Sequence, residues 1–388
     1  MTPAARLQAA IEILDQILDG SAVEQALTGW ARRSRYAGSK DRAAVRDHVF
    51  SSVRQMNSHA ALGGARTGRG LILGALRAGG VDPEPLFTGE RHAPAALSEG
   101  EFERAVPDFP IVDLPEWLWG AFQTSLGADK AHDAELALRD RAPVFLRVNS
   151  TKASVSHAQE ILAEGGIETV PHPSASTALI VERGERAIRN SRPYLDGLVE
   201  LQDGASQAIV ERMNLQNGMR VLDYCAGGGG KTLAMAAAAR LELVAHDAAE
   251  QRLRDLPERA KRAGAKVKIA KTHDLKSMGR FDLVLCDAPC SGSGSWRRAP
   301  EGKWRLTPDR FAELQDIQAS ILAAAAQLVK PGGVLGYATC SLLVPENSAQ
   351  VDRFLDHHPG WSVHDTHQWF LDEGTDGFFL AQLQAPAA

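Results

Sequence analysis

The sequence predicts an α/β protein: an open, mostly parallel sheet with helices on both faces, a small α+β module before it, and an all-helical N-terminal domain. Three observations predict this. Apolar residues recur at helical spacing through the first ~140 positions, and no strand alternation appears before about residue 143. Between there and residue 215 short strand-like and helix-like runs are mixed. From residue 219 the pattern becomes a regular alternation of strand and helix, which argues for parallel pairing. The expected domains are 1–140, 141–215 and 216–388.

In the first domain, Leu7, Ile11, Leu14, Leu18, Val23 and Leu27 mark helix over 4–30, and Val45, Val49, Val53 and Met56 continue it over 40–63. Leu71 to Leu76 and Trp117 to Phe122 add shorter helical pieces. The stretch 82–116, rich in Pro and acid, reads as an irregular connector or lid. In the second domain, strands are expected at 145–149, 178–181 and 198–201, with a helix at 155–164. In the third, strands are expected at 220–224, 243–247, 267–270, 281–286 and 334–338. Helices are expected at 232–240, 249–263 and 308–329.

A chain of 388 residues is long enough for two or three domains with cores of their own. The net charge of -5 gives no global case for nucleic acid. Basic groups cluster locally, at Arg32, Arg33, Arg35, Lys40, Arg42, Arg46 and Arg54, and again over 252–280. Such patches could neutralise phosphates, or they could be solvated helix faces. Cysteines at 225, 286, 290 and 340 form no C-x-x-C pair, and no nearby histidines complete a zinc pattern. With no signal peptide or membrane-spanning run visible, a reducing cytoplasmic setting without metal or membrane is expected.

Four motifs carry chemistry. The first is Asp223-Tyr224-Cys225-Ala226-Gly227-Gly228-Gly229-Gly230-Lys231-Thr232, a Gly-rich turn between a strand and a helix. It fails the phosphate-loop pattern, because the required first glycine falls on Cys225, and it fails G-x-G-x-x-G as well. A third reading remains, in which the turn takes the methionine portion of S-adenosylmethionine and Asp247, ending the second strand, holds the ribose hydroxyls. The bland alternatives are a tight turn and a helix cap. The second and third motifs are Asp287-Ala288-Pro289-Cys290 and Thr339-Cys340, each following a buried-strand run. Carbon 5 of a pyrimidine is too weak a nucleophile to attack a sulfonium methyl. A thiolate added at carbon 6 makes it nucleophilic, with Asp287 hydrogen-bonding at N3. Cys286, inside the strand, reads as a small core residue. The fourth motif is Trp296-Arg297-Arg298-Ala299-Pro300-Glu301-Gly302-Lys303-Trp304-Arg305. Its cations suit phosphates and its indoles suit stacking on bases; the alternative is a helix entry packed by a tryptophan.

Together these residues resemble the Sun/Fmu (RsmB-type) family of RNA cytosine-5 methyltransferases. The family's D-x-C-A-x-x-G-G-K-T, D-x-P-C-S-G, R-R-x-P-x-x-K-W and T-C-S…E-N all occur here in order, within about 145–385, with Arg147-Val148-Asn149 and Gln202-Asp203. The resemblance implies a Rossmann-like domain that uses S-adenosylmethionine and acts on RNA, most of all ribosomal RNA. It implies Cys340 as the nucleophile, Cys290 as the cysteine that helps release the product, and Asp287 and Lys231 as contacts to the target cytosine. It implies cofactor contacts from Cys225, Ala226, Gly227, Gly228, Gly229, Gly230, Lys231, Asp247, Arg252, Asp274 and Asp287, with Asp274 near the adenine. Gly228 stands where the family commonly has proline, which predicts a more flexible turn. The helical 1–140 region resembles the family's NusB-like RNA-binding domain, and 141–215 is expected to be a small RNA-binding module. Glu346 and Asn347 are read either as part of the motif or as the start of the next helix. A DNA cytosine-5 methyltransferase and a catalytically silent RNA-binding assembly factor are the rival readings; the Thr339-Cys340 site speaks against the first and the intact glycine loop against the second.

Overall fold

The computed structural model describes residues 1–102 and 110–387, so residues 103–109 of the acidic connector lie outside the described residues. The chain divides into two units, one of residues 1–141 with 296–305, the other of 142–295 with 306–388.

The first unit is helical, with helices Pro3–Leu18, Val23–Arg33, Ser39–Arg54, Met56–Gly63, Gly68–Ala78, Glu99–Phe102, Glu116–Leu126 and Ala128–Ala137. Leu7, Ile13, Leu14, Leu27, Val45, Val49, Val53 and Leu71 to Leu73 fill its core. Thr2 and Thr67 cap two of the helices by accepting from Ala5 N and Gly70 N, which satisfies donors that a helix start leaves open. Met56–Gly63 and Gly68–Ala78 approach backbone to backbone. A Cβ on Gly74 would lie 1.9 Å from the His59 carbonyl oxygen, so only glycine fits there.

The segment 296–305 packs inside this unit, which corrects the reading of the fourth motif as a nucleic-acid platform. Trp296 is 2% exposed and stacks on Phe122 with ring centroids 6.0 Å apart. The Arg297 carbonyl accepts from the Arg54 guanidinium. Lys303 is 1% exposed, and its Nζ donates to the Arg54 carbonyl at 2.7 Å. Burial lowers its pKa to about 8, against the pull of the Asp113 and Glu135 carboxylates. Trp304 Nε1 donates to Val53 O, and Glu301 accepts from Val23 N. An indole and a long cationic stem bury well when the polar tip finds a carbonyl, as Trp304 and Lys303 do here.

The second unit holds two sheets. A four-stranded antiparallel sheet has the order β2-β3-β1-β4, from β1 (Val144–Val148), β2 (Glu168–Pro171), β3 (Ala178–Arg183) and β4 (Val199–Leu201). The helix Val155–Glu164 follows β1, and Gly204–Arg212 follows β4. The larger sheet has seven strands: β5 (Arg220–Asp223), β6 (Glu242–Ala245), β7 (Lys268–Ile269), β8 (Phe281–Asp287), β9 (Val329–Thr339), β10 (Ser362–Trp369) and β11 (Phe378–Gln384). Their order is β10-β11-β9-β8-β5-β6-β7. Pairs from β9 to β7 are parallel, as the alternation predicted, and β11 and β10 add an antiparallel edge that the sequence did not suggest. Side chains of β5 and β8 alternate between two cores, Leu222 and Val284 on one face, Val221, Leu283 and Leu285 on the other, so both faces are covered. The expected helix over 249–263 is broken, with a 3-10 turn Glu250–Leu253 and then a helix Leu256–Ala263 carrying Pro257 in its first turn. No described helix is long and apolar enough to cross a membrane.

The topology sets where chemistry can occur. From β5 the chain winds to β6 and β7, then returns to start β8 on the other side of β5. The reversal leaves a crevice beyond the carboxyl ends of β5 and β8, where open parallel sheets bind ligands.

Candidate active site

The Gly-rich turn leaves β5 at that crevice. Gly227 and Gly229 take φ of +51° and +83°, which L side chains rarely adopt. At Gly229 a Cβ would also meet Leu256 Cδ1 at 2.3 Å. Gly228 is different: its φ is not in the left-handed region, and a Cβ would meet only the tip of Arg259 at 3.1 Å. The Arg259 guanidinium donates to the Gly228 carbonyl, so a side chain from the helix Leu256–Ala263 braces the turn. Lys231 and Thr232 open the helix Gly230–Ala238.

Asp223 ends β5 fully buried. Its Oδ2 accepts from Thr232 Oγ1 at 2.6 Å, and its Oδ1 has no hydrogen-bond partner. Burial raises its pKa to about 7, with the Asp287 and Asp247 charges adding to the rise and the Thr232 hydroxyl and Lys231 opposing it. Because the folded value lies above the unfolded one, ionisation costs folding free energy. Stability of the cofactor-free protein is therefore expected to fall as pH rises from about 4 through about 7. Thermal melts of Asp223→Asn against the parent across that range check this, the variant showing a flatter curve.

Asp247, after β6, is 4% exposed. Its Oδ2 accepts from Gly227 N at 2.9 Å and lies 3.3 Å from Arg252 Nη1, while Oδ1 accepts from Ala249 N at 2.9 Å. Asp247 thus shapes the glycine turn as well as facing the crevice. Asp274 lies in the loop after β7, paired with His273 at 3.4 Å. Cys225 is half-buried and burial pushes its thiol well up, so it is no ready nucleophile. Cys286 is buried in β8, as expected of a core residue. One further residue not singled out by sequence supports the turn. His246 is buried, its Nδ1 2.7 Å from Tyr224 O and its Nε2 2.9 Å from Thr272 Oγ1.

Cys290 follows β8 and Cys340 follows β9, on adjacent parallel strands, and their sulfurs are 3.4 Å apart. The Ser295 hydroxyl lies 3.9 Å from Cys340 Sγ. The two thiols differ electrically. A hydrogen bond from Cys290 lowers the Cys340 pKa, and Lys231 and Ser295 help, while desolvation and Asp287 oppose. Cys290 is raised by the same shared bond, by desolvation, and by the charges of Cys340 and Glu346. Of the two, Cys340 is the sulfur whose surroundings favour the thiolate. Beside it, Lys231 Nζ donates to Asp287 Oδ2 at 2.8 Å, with the Lys231 ammonium 5.0 Å from the centre of the Phe378 ring. Lys231, Asp287, Cys290 and Cys340 thus converge at one point of the sheet edge.

A buried polar clasp lies under both cysteines. Glu346 accepts from Ser291 N at 2.7 Å, Ser291 Oγ at 2.5 Å, Ser341 Oγ at 2.5 Å and Gln318 Nε2 at 3.1 Å. Asn347 accepts from Thr339 Oγ1 at 2.6 Å and donates to Ser341 O at 3.0 Å. Asn347 does precede the helix Ser348–His357, but its side chain makes no cap bond to it. Among the described residues no group of three His, Cys, Asp or Glu side chains is placed to hold a metal ion.

Residues 210–384 match the family model described as 16S rRNA methyltransferase RsmB/F, and residues 114–187 match its ferredoxin-like domain. The ribosomal RNA small subunit methyltransferase B of Citrobacter koseri is 34% identical over 330 residues, covering 81% of this chain and 73% of that protein. The chain belongs to the RsmB/F family of 16S rRNA methyltransferases. The protein of the same name from Salmonella arizonae is 36% identical over 285 residues, 69% of this chain and 66% of its own length. The chain thus spans just under two thirds of that relative. Among solved structures, the methyltransferase homolog protein from Pyrococcus horikoshii aligns with a TM-score of 0.61 and 25% identity, over 70% of this chain and 95% of that one. The crystal structure of PH0851 shares the fold over 99% of both chains, with a TM-score of 0.78 and 24% identity. The RsmB/F family depends on S-adenosylmethionine. The residues present fit that cofactor: the buried Asp223 Oδ1, at the base of the glycine turn, lacks a partner that an ammonium group would supply.

Proposed function

We propose that the protein methylates carbon 5 of a cytosine in ribosomal RNA through a cysteine adduct at carbon 6. The observation that carries this reading is the Cys290–Cys340 pair, 3.4 Å apart, beside the Lys231–Asp287 ion pair. When bound, S-adenosylmethionine supplies an electrophilic methyl group. Asp223, the 225–231 turn and Asp247 hold it, with Asp274 toward the adenine and Arg252 bracing Asp247. The Cys340 thiolate adds to carbon 6 of the ring, and the electron pair of the 5,6 double bond makes carbon 5 nucleophilic. Asp287, oriented by Lys231, hydrogen-bonds at N3 and disperses the charge that develops there. After carbon 5 has taken the methyl, a base removes its proton. The C–H electron pair re-forms the double bond, the carbon–sulfur bond breaks, and its electron pair returns to Cys340. Cys290 assists that release.

RNA is the proposed partner, with its target base splayed out of any helix before reaching the crevice. In the 252–280 stretch, Arg252, Arg259 and Arg262 are tied to acids, whereas Lys261, Lys266, Lys268, Lys276 and Arg280 are exposed. Those five are the proposed phosphate contacts. The helical 1–140 region and the 141–215 module are proposed to bind RNA as well, in the cytoplasm. Bisulfite sequencing of cellular RNA with and without the protein tests the activity: one cytosine in small-subunit RNA is expected to lose methylation. If every cytosine keeps its state while the protein still binds RNA, the silent assembly factor is the better reading.

A further inference from the structure

The cysteine pair is symmetric in chemistry and asymmetric in surroundings. On one side lies Lys231, whose ammonium favours charge on Cys340. On the other lies the Glu346 carboxylate, fully buried, which disfavours charge on Cys290. Glu346 reaches Cys290 through its neighbour, since it accepts both Ser291 N at 2.7 Å and Ser291 Oγ at 2.5 Å. It reaches the Cys340 strand through Ser341 Oγ at 2.5 Å. Asn347 fixes the other flank of Cys340 by binding Thr339 Oγ1, and the Tyr337 hydroxyl donates to the Glu346 carbonyl at 2.6 Å. All four donors to the carboxylate are neutral, and together they fill the lone-pair sites of a carboxylate. A burial this complete is costly for a carboxylate, and capping a helix does not require it.

We propose that Glu346 is a positioning residue that sets the order of the cysteine pair: its buried carboxylate keeps the proton on Cys290 and leaves Cys340 as the thiolate. The other ionisable groups facing the pair are Asp287, Lys231 and the Tyr337 hydroxyl. Asp287 opposes charge on Cys340, while its ion-pair partner Lys231 favours it. Glu346 adds its charge to the hydrogen bond shared by the two sulfurs, and it is held beside the pair by Ser291 and Ser341.

This inference rests on the proposed roles of the two thiols, but its test uses neither RNA nor cofactor. The full-length protein is treated with iodoacetamide between pH 6 and 8, and the modified cysteines are mapped by peptide mass. In the parent, Cys340 is expected to react well ahead of Cys290. In Glu346→Gln the ratio of Cys340 to Cys290 modification should fall about tenfold, the equivalent of about one pKa unit. Glu346→Asp should restore most of it. An unchanged ratio in a folded Glu346→Gln overturns the proposal. So does an equal rise at both sites with a lowered melting temperature, which is the mark of a purely structural residue. If Glu346→Gln does not fold, Ser291→Ala decides: it keeps the charge and removes one hydroxyl that screens it, so the preference for Cys340 should grow. A preference that stays level or shrinks there overturns the proposal too. Absence of RNA methylation would leave the thiol order untouched, so the two failures are distinguishable.

Discussion

Cys340→Ala is expected to abolish both methyl transfer and the covalent RNA adduct, while Cys290→Ala leaves attack possible and lets the adduct accumulate. The sulfurs are 3.4 Å apart, so geometry alone does not separate their roles. Their surroundings differ: Lys231 and Ser295 favour a thiolate at Cys340, while the Glu346 charge disfavours one at Cys290. A nucleophile that works as a unit with its neighbours takes nearly all of the catalysis with it when removed, about 10⁴-fold or more. Removing Cys290 should instead slow release, and the protein–RNA species should survive denaturing electrophoresis. Alanine creates a small gap at either site, worth about 1 kcal/mol, so folding is expected to persist. The opposite pattern, with adduct accumulating in Cys340→Ala, would revive the mechanism in which the Pro-Cys cysteine attacks.

Asp287→Asn carries the second largest expected effect. The carboxylate ends β8 at the crevice and is a third exposed, paired with an almost buried Lys231. Asparagine keeps an acceptor for Lys231 Nζ but not the charge. Loss of a charge-assisted contact to the ring should lower turnover about 10²- to 10⁴-fold, the range of a general acid–base or hydrogen-bonding group in a transition state. Lys231 would then have no carboxylate partner at that position. Because Asp287 is partly solvated, the stability cost is discounted to about 1–3 kcal/mol. Single-turnover methyl transfer and thermal melts on the same preparation separate the two. A drop in turnover that merely follows the drop in melting temperature would remove Asp287 from the chemistry. In Lys231→Met the same carboxylate loses its orienting cation, and turnover should fall with it.

The parallel core of the fold was legible because its strands carry short apolar runs bounded by polar residues, as in Val221-Leu222 and Leu283 to Cys286. Strand β10 was not. Ser362 to Trp369 reads Ser-Val-His-Asp-Thr-His-Gln-Trp, and an edge strand with one buried residue has little to alternate. At the site, the cysteines and the glycine turn announced themselves by residue type. The clasp did not, because Glu346 meets Ser291 across 55 positions, and an acid just before a helix looks the same whether it caps or reaches away. The Trp296–Arg305 stretch misled for a related reason. Tryptophan and lysine side by side suit an RNA groove and an amphipathic core equally, and only the partners Phe122, Val53 and Arg54 decide.

That stretch also makes the helical unit discontinuous, which bears on how the chain is made. Residues 1–141 leave the ribosome ahead of 296–305, yet Arg54 O, Val53 O and the Phe122 ring acquire their partners only when that segment follows. At roughly 5–20 residues per second, the intervening chain takes about ten to thirty seconds to synthesise. Through that interval the nascent helices expose the groove that Trp296, Lys303 and Trp304 later fill. The helical unit thus begins to emerge ahead of the second and cannot finish before most of that second unit has followed.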